Sequence, residues 1–176
     1  MQDFVHLHVH TQYSLLDGQA SVARLVDKAM KNGMKGIAVT DHGNMFGIKE
    51  FTNYVNKKNS GPKGEVKDLK KRIAGIEAGT IECEDKEAEI AACKAKIVEA
   101  ENKLFKPIIG CEMYVARRTM DLKEGKPDKS GYHLIVLAKN ETGYHNLIKL
   151  VSHAWTRGYY MRPRTDRSEL EKYHEG

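Results

Sequence analysis

Histidines and carboxylates recur at short spacings in three stretches of the sequence. The candidate site residues are His8, His10, Asp17, Asp41, His42 and Glu112. Imidazole and carboxylate ligands together favour Zn²⁺, Mn²⁺ or Fe²⁺ over Ca²⁺ or an iron–sulfur cluster. Residues two apart on a strand lie about 6.5 Å apart along it, so His8 and His10 could clamp one metal ion or serve two neighbouring ones.

Four apolar segments are predicted to be the strands that position these side chains. They are Phe4–His10, Gly36–Thr40, Pro107–Val115 and Tyr132–Ala138. In the first segment, apolar residues alternate with His6, His8 and His10, so a period of two places the three imidazoles on one face. His6 lies deeper in this strand and is the weaker ligand candidate.

Helical periodicity between these segments completes the predicted βα order. A helix follows Ser21 as N-cap and ends at Gly33, and further helices are predicted near residues 46–58 and 143–154. Alternating strands and helices indicate an α/β fold with a parallel sheet. Ligand-binding groups gather where parallel strands end, which would bring the candidate residues together. The isolated His145, His153 and His174 are interpreted as structural.

A highly charged stretch interrupts this pattern. Residues 61–106 contain ten basic and ten acidic residues. Their sparse apolar residues step by three and four, as in a coiled-coil seam. The sequence therefore predicts an inserted antiparallel helical hairpin over 61–105, between two parts of one domain at 1–60 and 106–176. Its role as a solvated decoration or as a partner-docking arm stays open.

Composition excludes several classes of protein. The start of the chain has no basic stretch followed by an apolar run, and no apolar segment is long enough to cross a bilayer. The three cysteines lack a C-x-x-C spacing, so neither a disulfide framework nor a zinc knuckle is indicated. We therefore expect a cytoplasmic protein that does not contact a membrane.

A basic and aromatic stretch near the end of the sequence indicates contact with nucleic acid. Between Trp155 and Arg167, four arginines stand against one aspartate. Aromatic rings that stack bases and arginines that contact phosphates are typical of single-strand binding. The predicted contact residues are Arg157, Tyr159, Tyr160, Arg162 and Arg164. The alternative is an ordinary solvated loop.

Five motifs in order resemble the PHP (polymerase and histidinol phosphatase) domain, in the version found at the N-terminus of bacterial DNA polymerase III alpha subunits. They are His8-Val9-His10-Thr11, Tyr13–Gly18, Thr40–Asn44, Pro107–Glu112 and Tyr132-His133-Leu134. The resemblance implies a distorted (β/α)7 TIM-like barrel, here truncated, that holds up to three metal ions, Zn or Mn and possibly Fe. It implies His8, His10, Asp17, His42, Glu112 and His133 as metal ligands, with Glu112 bridging. His133 rests on the resemblance alone.

The resemblance also implies ligands beyond Gly176, so the chain is expected to be the front part of a longer protein. On its own it should bind at most one or two metal ions loosely, lack polymerase activity and show negligible phosphodiesterase activity. The longer protein would be a Mg²⁺-dependent DNA polymerase of DNA replication, with DNA and other subunits of the replicative holoenzyme as partners.

The implied chemistry is phosphoester hydrolysis, including 3′–5′ exonuclease activity, in which metals activate water and offset charge on the phosphoryl oxygens. Asp17, Asp41 and Glu112 would be the catalytic carboxylates, with Asp41 orienting a histidine ligand. Two alternatives remain: a free-standing phosphatase such as histidinol phosphatase, and a non-catalytic scaffold domain.

Overall fold

The helices and strands follow most of the hydrophobic pattern. The structure is a computed structural model that describes residues 4–129 and 131–176. Its helices are α1 (Val22–Lys31), α2 (Ile48–Lys58), α3 (Ser60–Glu77), α4 (Lys86–Asn102), α5 (Lys126–Lys129), α6 (Glu141–Thr156) and α7 (Arg167–Lys172). Its strands are β1 (Gly36–Val39), β2 (Lys106–Ala116), β3 (Gly131–Leu137) and β4 (Arg164–Thr165). No helix in the described ranges is long and apolar enough to span a membrane.

The chain divides into two compact units. The first comprises Met1–Thr52 and Pro107–Gly176, and the second comprises Asn53–Lys106. In the first unit, β2 lies between β1 and β3, and β4 pairs with β2. The fold is α/β, with parallel pairing of β2 with β4 and a parallel bridge between His42 and Glu112. Within the described part of the chain, the sheet is open rather than closed into a barrel.

One strand runs against the predicted direction. β3 pairs antiparallel with β2, from Gly110 opposite Leu137 to Ala116 opposite Gly131. The expectation of an entirely parallel sheet is therefore wrong for β3. Parallel neighbours need a crossover, usually a full helix, to bring the chain back to the other end of the sheet. The connection from β2 to β3 carries only the four-residue helix α5, and the chain turns back directly.

The predicted first strand is not a regular strand. Residues 4–10 run beside β1, with hydrogen bonds from Ala38 N to His6 O at 2.8 Å and from Thr40 N to Val9 O at 2.9 Å. Between these two hydrogen bonds, β1 advances by two residues, whereas the segment from His6 to Val9 advances by three. The extra residue breaks the ladder and the two-residue period, as a bulge does. His6, His8 and His10 still line one cavity, but His6 lies outside both groups of potential metal ligands among the described residues.

Alternation along β2 separates the core from the site. Cys111 and Met113 are fully buried in a cluster with one side of α6, contributed by Leu147, Leu150, Val151 and Ala154. These helix positions step by three and four, as an amphipathic helix on a sheet requires. Because successive strand residues point to opposite faces, Glu112 and Tyr114 project away from this core. The packing of β2 on α6 thus presents Glu112 on the other face of the sheet.

The second unit contains the predicted helical hairpin. α3 and α4 bury or half-bury the whole predicted seam, Val66, Leu69, Ile73, Ile76, Ile90, Cys93, Ile97, Ala100 and Leu104. Asn59 ties the two ends of the hairpin together, because its side chain donates to Phe105 O at 2.8 Å and accepts from Phe105 N at 2.9 Å. The predicted insertion limits, 61 and 105, lie inside this unit.

An ion pair in the loop after β2 makes the stability of the first unit depend on pH. The hydrogen bond from Arg118 Nε to Asp128 Oδ1, at 3.0 Å, lowers the pKa of Asp128. A carboxyl group with a lowered pKa stabilises the fold above its unfolded pKa, and this stabilisation is lost as the pH falls through the folded pKa. We expect Asp128→Asn to destabilise the protein at neutral pH and to have less effect below about pH 4. Urea unfolding of both proteins at pH 7 and pH 3 tests this, and a constant difference would contradict it.

Candidate metal centre

Glu112 stands at the centre of four imidazoles. The residue is 2% exposed, and each of its two carboxylate oxygens faces one pair of histidines. Oε2 lies 2.6 Å from His8 Nε2 and 3.0 Å from His10 Nε2. Oε1 contacts His133 Nδ1 and lies 3.4 Å from His42 Nδ1. The arrangement has the geometry of a bridging carboxylate between two sets of ligands.

Two groups of potential ligands share this carboxylate. The first is His8, His10 and Glu112, and the second is His42, Glu112 and His133, with the ligand atoms of each group within 4.8 Å of one another. Nitrogen and carboxylate ligands of this kind suit Zn²⁺, Mn²⁺ or Fe²⁺. Both groups could hold a metal ion, and the six residues predicted from the sequence are all at or beside them.

An unpaired buried nitrogen supports the fit of a metal ion. Among the described residues, His42 Nδ1 is buried and has no hydrogen-bond partner, although it lies 3.4 Å from Glu112 Oε1. Its other ring nitrogen, Nε2, lies 2.8 Å from Asp17 Oδ2. A buried polar atom without a partner is costly unless something else satisfies it. A cation between His42 Nδ1 and Glu112 would supply that partner.

A tight loop carries Asp17 to this place. Ser14 N donates to Thr11 O at 2.9 Å, and Gly18 N donates to Ser14 O at 2.7 Å. A Cβ on Gly18 would collide with the carbonyl oxygen of Thr11, so the loop needs glycine there. Leu16 has a positive φ of 77°, which is rare for a side chain of this size. The Asp17-Gly18 pair thus places a carboxylate, 65% exposed, against His42.

Asp41 is connected to His10 and His42 through the hydroxyl group of Ser14. It is 1% exposed and accepts from Thr11 N, Thr11 Oγ1 and Ser14 Oγ at 2.6–2.7 Å. Ser14 Oγ in turn lies 2.8 Å from His10 Nδ1 and accepts from His42 N at 3.2 Å. Asp41 is thus linked to the His10 side chain through the Ser14 hydroxyl, and Ser14 is a site residue that the sequence reasoning missed.

The relay fixes which nitrogen of His10 carries the proton. The single hydroxyl hydrogen of Ser14 goes to Asp41 Oδ1, so Ser14 Oγ has only lone pairs left for His10. His10 Nδ1 must then be the donor. Its Nε2 lone pair consequently points to Glu112 and His8, which is the orientation that a metal ligand needs.

The electrostatics favour the protonation states that bind metal. Burial lowers the pKa of His10, and the neighbouring His42 lowers it further. Burial raises the pKa of Glu112, but the hydrogen bond with His8 and the nearby imidazoles outweigh burial and bring this pKa below its ordinary value. A neutral imidazole and an ionised carboxylate are the forms that coordinate metal ions.

The antiparallel direction of β3 explains the position of His133. Tyr114 is opposite His133, and Glu112 is opposite Ile135. Because β3 runs against β2, a residue near the start of β3 lies beside the carboxyl end of β2. His133 therefore reaches the same face as Glu112. A rule based on the ends of parallel strands could not have found it.

The remaining histidines lie elsewhere. His6 packs edge-on against Phe4, with ring centroids 4.7 Å apart. His145 is near Glu141 on the exposed side of α6, at 3.9 Å. His153 pairs with Glu169 at 2.6 Å. His174 Nδ1 lies 2.7 Å from Glu171 O, just after the end of α7. None of these four belongs to either group of ligands in the described residues.

Two of the five predicted nucleic-acid contacts have structural roles. Arg164 is 1% exposed, and the prediction for this residue is wrong because its guanidinium is used by buried backbone carbonyls. It donates to Gly158 O, Asp128 O, Met120 O and Leu122 O at 2.8–3.1 Å. Arg157 is half exposed but forms paired hydrogen bonds with Asp121 at 2.7 and 2.8 Å.

The other three are available. Tyr159 is 47% exposed, and Tyr160 is half-buried. Arg162 is exposed, and its guanidinium lies 4.8 Å above the ring of Tyr114. Tyr114 is in turn edge-on to His133, with centroids 4.9 Å apart. Arg162 therefore brings a positive charge next to the candidate metal centre.

Comparison with known proteins shows the family of this chain. The PHP domain family model matches residues 6–97 and 91–176. DNA polymerase III subunit alpha of Borreliella burgdorferi is 41% identical over 174 residues, and that of Treponema pallidum is 40% identical over 174 residues. The subunit of Aquifex aeolicus is 35% identical over 181 residues. These matches cover 98–99% of this chain but only 11–12% of the relatives' length. The chain belongs to the PHP domain family.

Proposed function

We propose that this chain is the PHP segment of a bacterial replicative DNA polymerase and that it binds metal ions to handle phosphoesters of DNA. The observation that carries the proposal is the buried carboxylate of Glu112, with its two oxygens facing two pairs of imidazoles. The names of the relatives support DNA as the substrate and a replicative assembly as the setting. The family match supports a distorted (β/α)7 barrel as the complete fold. The separate compact unit formed by α3 and α4 supports an inserted hairpin over residues 61–105.

Each residue of the centre has a distinct part in this proposal. Glu112 would be the ligand shared by two divalent ions, Zn²⁺, Mn²⁺ or Fe²⁺, and its charge would offset part of theirs. His8 and His10 would hold one ion, and His42 and His133 would hold the other. Bound ions of this kind lower the pKa of water and offset negative charge on phosphoryl oxygens. Asp41 keeps His10 in the required tautomer through Ser14.

Asp17 occupies the exposed side of the centre. Its carboxylate is 65% exposed and 2.8 Å from His42 Nε2. A carboxylate in this position can hold the His42 ring in place and accept a proton from the attacking water. A 3′–5′ exonuclease reaction on single-stranded DNA is the activity that this arrangement supports best.

Metal occupancy tests the assignment without depending on activity. We expect the chain to bind two equivalents of Mn²⁺ or Zn²⁺, measured by elemental analysis after equilibrium dialysis against the metal, which also retains weakly bound ions. The double variant His8→Ala/His10→Ala should lose one equivalent, and His42→Ala/His133→Ala should lose the other. The matched control is His145→Ala/His174→Ala, which removes two histidines outside the groups and should keep both ions. Equal occupancy in all three double variants would contradict the proposal.

The phosphoester part has a separate readout. Any metal-dependent release of nucleotide from a 3′-labelled single strand should disappear in the double variant Asp17→Asn/His42→Ala. Release that survives in this variant would show that the hydrolysis takes place somewhere else. Full metal occupancy without any hydrolysis, in a longer protein that includes this chain, would favour a scaffold role.

A further inference from the structure

Three exposed aromatic rings form a continuous row on the first unit. Phe46 is 66% exposed, Trp155 43% and Tyr159 47%. The ring centroids of Trp155 and Tyr159 are 5.6 Å apart, with planes inclined by 21°. The centroids of Phe46 and Trp155 are 6.3 Å apart. We refer to Phe46, Trp155 and Tyr159 as the aromatic row.

Packing of the hydrophobic core leaves the aromatic row partly exposed. α6 packs on β2 through Leu147, Leu150, Val151 and Ala154. Trp155 lies at the margin of this side of the helix and remains 43% exposed. Large rings are among the side chains that gain most from burial. Three partly exposed rings, with Trp155 in contact with both Phe46 and Tyr159, indicate a surface that binds something apolar and flat.

The aromatic row is fixed relative to the metal centre. Trp155 Nε1 donates to Gly43 O at 2.7 Å, and Gly43 N donates to Glu112 O at 2.8 Å. Gly43 also follows His42 directly. Two hydrogen bonds therefore connect the indole to the backbone of Glu112, the residue at the middle of the centre.

Positive charge lies beside the same centre. The exposed guanidinium of Arg162 is 4.8 Å above the Tyr114 ring, and this ring is close to parallel with that of His42 at 6.0 Å. A polymer with flat apolar groups and regularly spaced negative charges would match both features. Single-stranded nucleic acid has this combination, because unpaired bases stack on aromatic side chains while cations contact the phosphates.

We propose that the aromatic row stacks the unpaired bases of single-stranded DNA and so positions a neighbouring phosphodiester at the metal centre. The proposal rests on the proposed function and adds a binding surface to it. Stacking is tolerant of sequence because every base has a π face. In a duplex these faces are covered by neighbouring bases, so the surface selects frayed or unpaired ends.

Intrinsic fluorescence reports on this surface directly, because Trp155 is the single tryptophan of the chain. The experiment uses EDTA, so that no strand is cleaved and metal binding does not affect the result. We expect a twelve-residue thymidine oligonucleotide to quench the fluorescence with saturation. An abasic strand of equal length and a blunt duplex should bind at least about fivefold more weakly.

Variants of the row locate the contact. Tyr159→Ala should raise the dissociation constant at least about fivefold. The matched control is Tyr144→Ala, near the start of α6 and about 16 Å along the helix from Trp155. It should leave the dissociation constant unchanged. Circular dichroism checks that both variants remain folded.

Three results would overturn the inference. Equal affinity for the abasic strand would show that phosphates alone are recognised. Equal effects of Tyr159→Ala and Tyr144→Ala would place the contact elsewhere. Fluorescence that changes with protein concentration in the absence of DNA, together with dimers in sedimentation, would show that a second copy covers the row. Loss of metal binding with intact quenching would instead overturn the proposed function and leave this inference standing.

Discussion

Replacing Glu112 by glutamine is expected to empty both metal groups at once. The amide keeps the size of the carboxylate and can still hydrogen-bond to the imidazoles, but it lacks the charge that a bridging ligand supplies. In the parent protein, each carboxylate oxygen of Glu112 faces a separate pair of histidines. Loss of the shared ligand should therefore lower the affinity for both ions. The expected decrease exceeds the roughly 10- to 100-fold that is typical when a group that only hydrogen-bonds to a ligand is removed.

Calorimetric titration with Mn²⁺ or Zn²⁺ measures this effect. The matched control is Glu141→Gln, which makes the same change at a 90% exposed position near a histidine on α6. The control should bind metal as the parent does. If Glu112→Gln kept one full equivalent at unchanged affinity, the two groups would be independent and the bridging role would be wrong.

Local patterns predicted most of the helices and the strand β1. Ser21 accepts from Arg24 N at the start of α1, and Gly33 follows its end with φ 76°. The apolar run before Asp41 forms β1. These features depend on neighbouring residues only, and for that reason the sequence reveals them.

The misses depend on contacts between distant residues. Three residues from His6 to Val9 oppose two residues of β1, and alternation in the sequence does not show this mismatch. The direction of β3 depends on how the chain returns after β2, which composition does not record. His133 nevertheless lies in one of the two groups of potential ligands, and it was predicted from the family resemblance rather than from strand geometry.

Ser14 and Trp155 show what a motif leaves out. Ser14 lies inside a matched motif, yet its part in the site follows only from distances to Asp41 and His10. Trp155 was taken as part of a basic stretch, and its importance lies in its contacts with Gly43 and Phe46. Residue types in the sequence indicate which chemistry is possible, whereas only tertiary contacts show which residues Ser14 and Trp155 bind.

Arg162 and Arg164 carry the same charge but have different roles, which a count of charges does not reveal. They are two residues apart, but Arg162 is exposed and Arg164 is 1% exposed. Arg164 satisfies carbonyl oxygens from the loop after β2 and from Gly158. Charge composition predicts the same function for both arginines, whereas burial assigns one to the fold and leaves the other for a ligand.

Arg164→Met is accordingly expected to have the largest effect on stability. The variant keeps an unbranched side chain in the same space but leaves four backbone carbonyls without their donor. Buried acceptors without partners cost about 1–3 kcal/mol each before relaxation, and removal of a buried charge offsets part of this. We expect the free energy of unfolding to fall by about 2–4 kcal/mol, measured by urea denaturation.

Arg162→Met is the matched control for this experiment. It makes the same substitution at an exposed position and should change the free energy of unfolding by less than about 0.5 kcal/mol. It should weaken the binding of single-stranded DNA, because the positive charge above Tyr114 is lost. The opposite pattern, with stability unchanged in Arg164→Met and DNA affinity lowered only there, would return Arg164 to the surface that contacts DNA. Because both variants lose one positive charge, a difference between them measures burial rather than net charge.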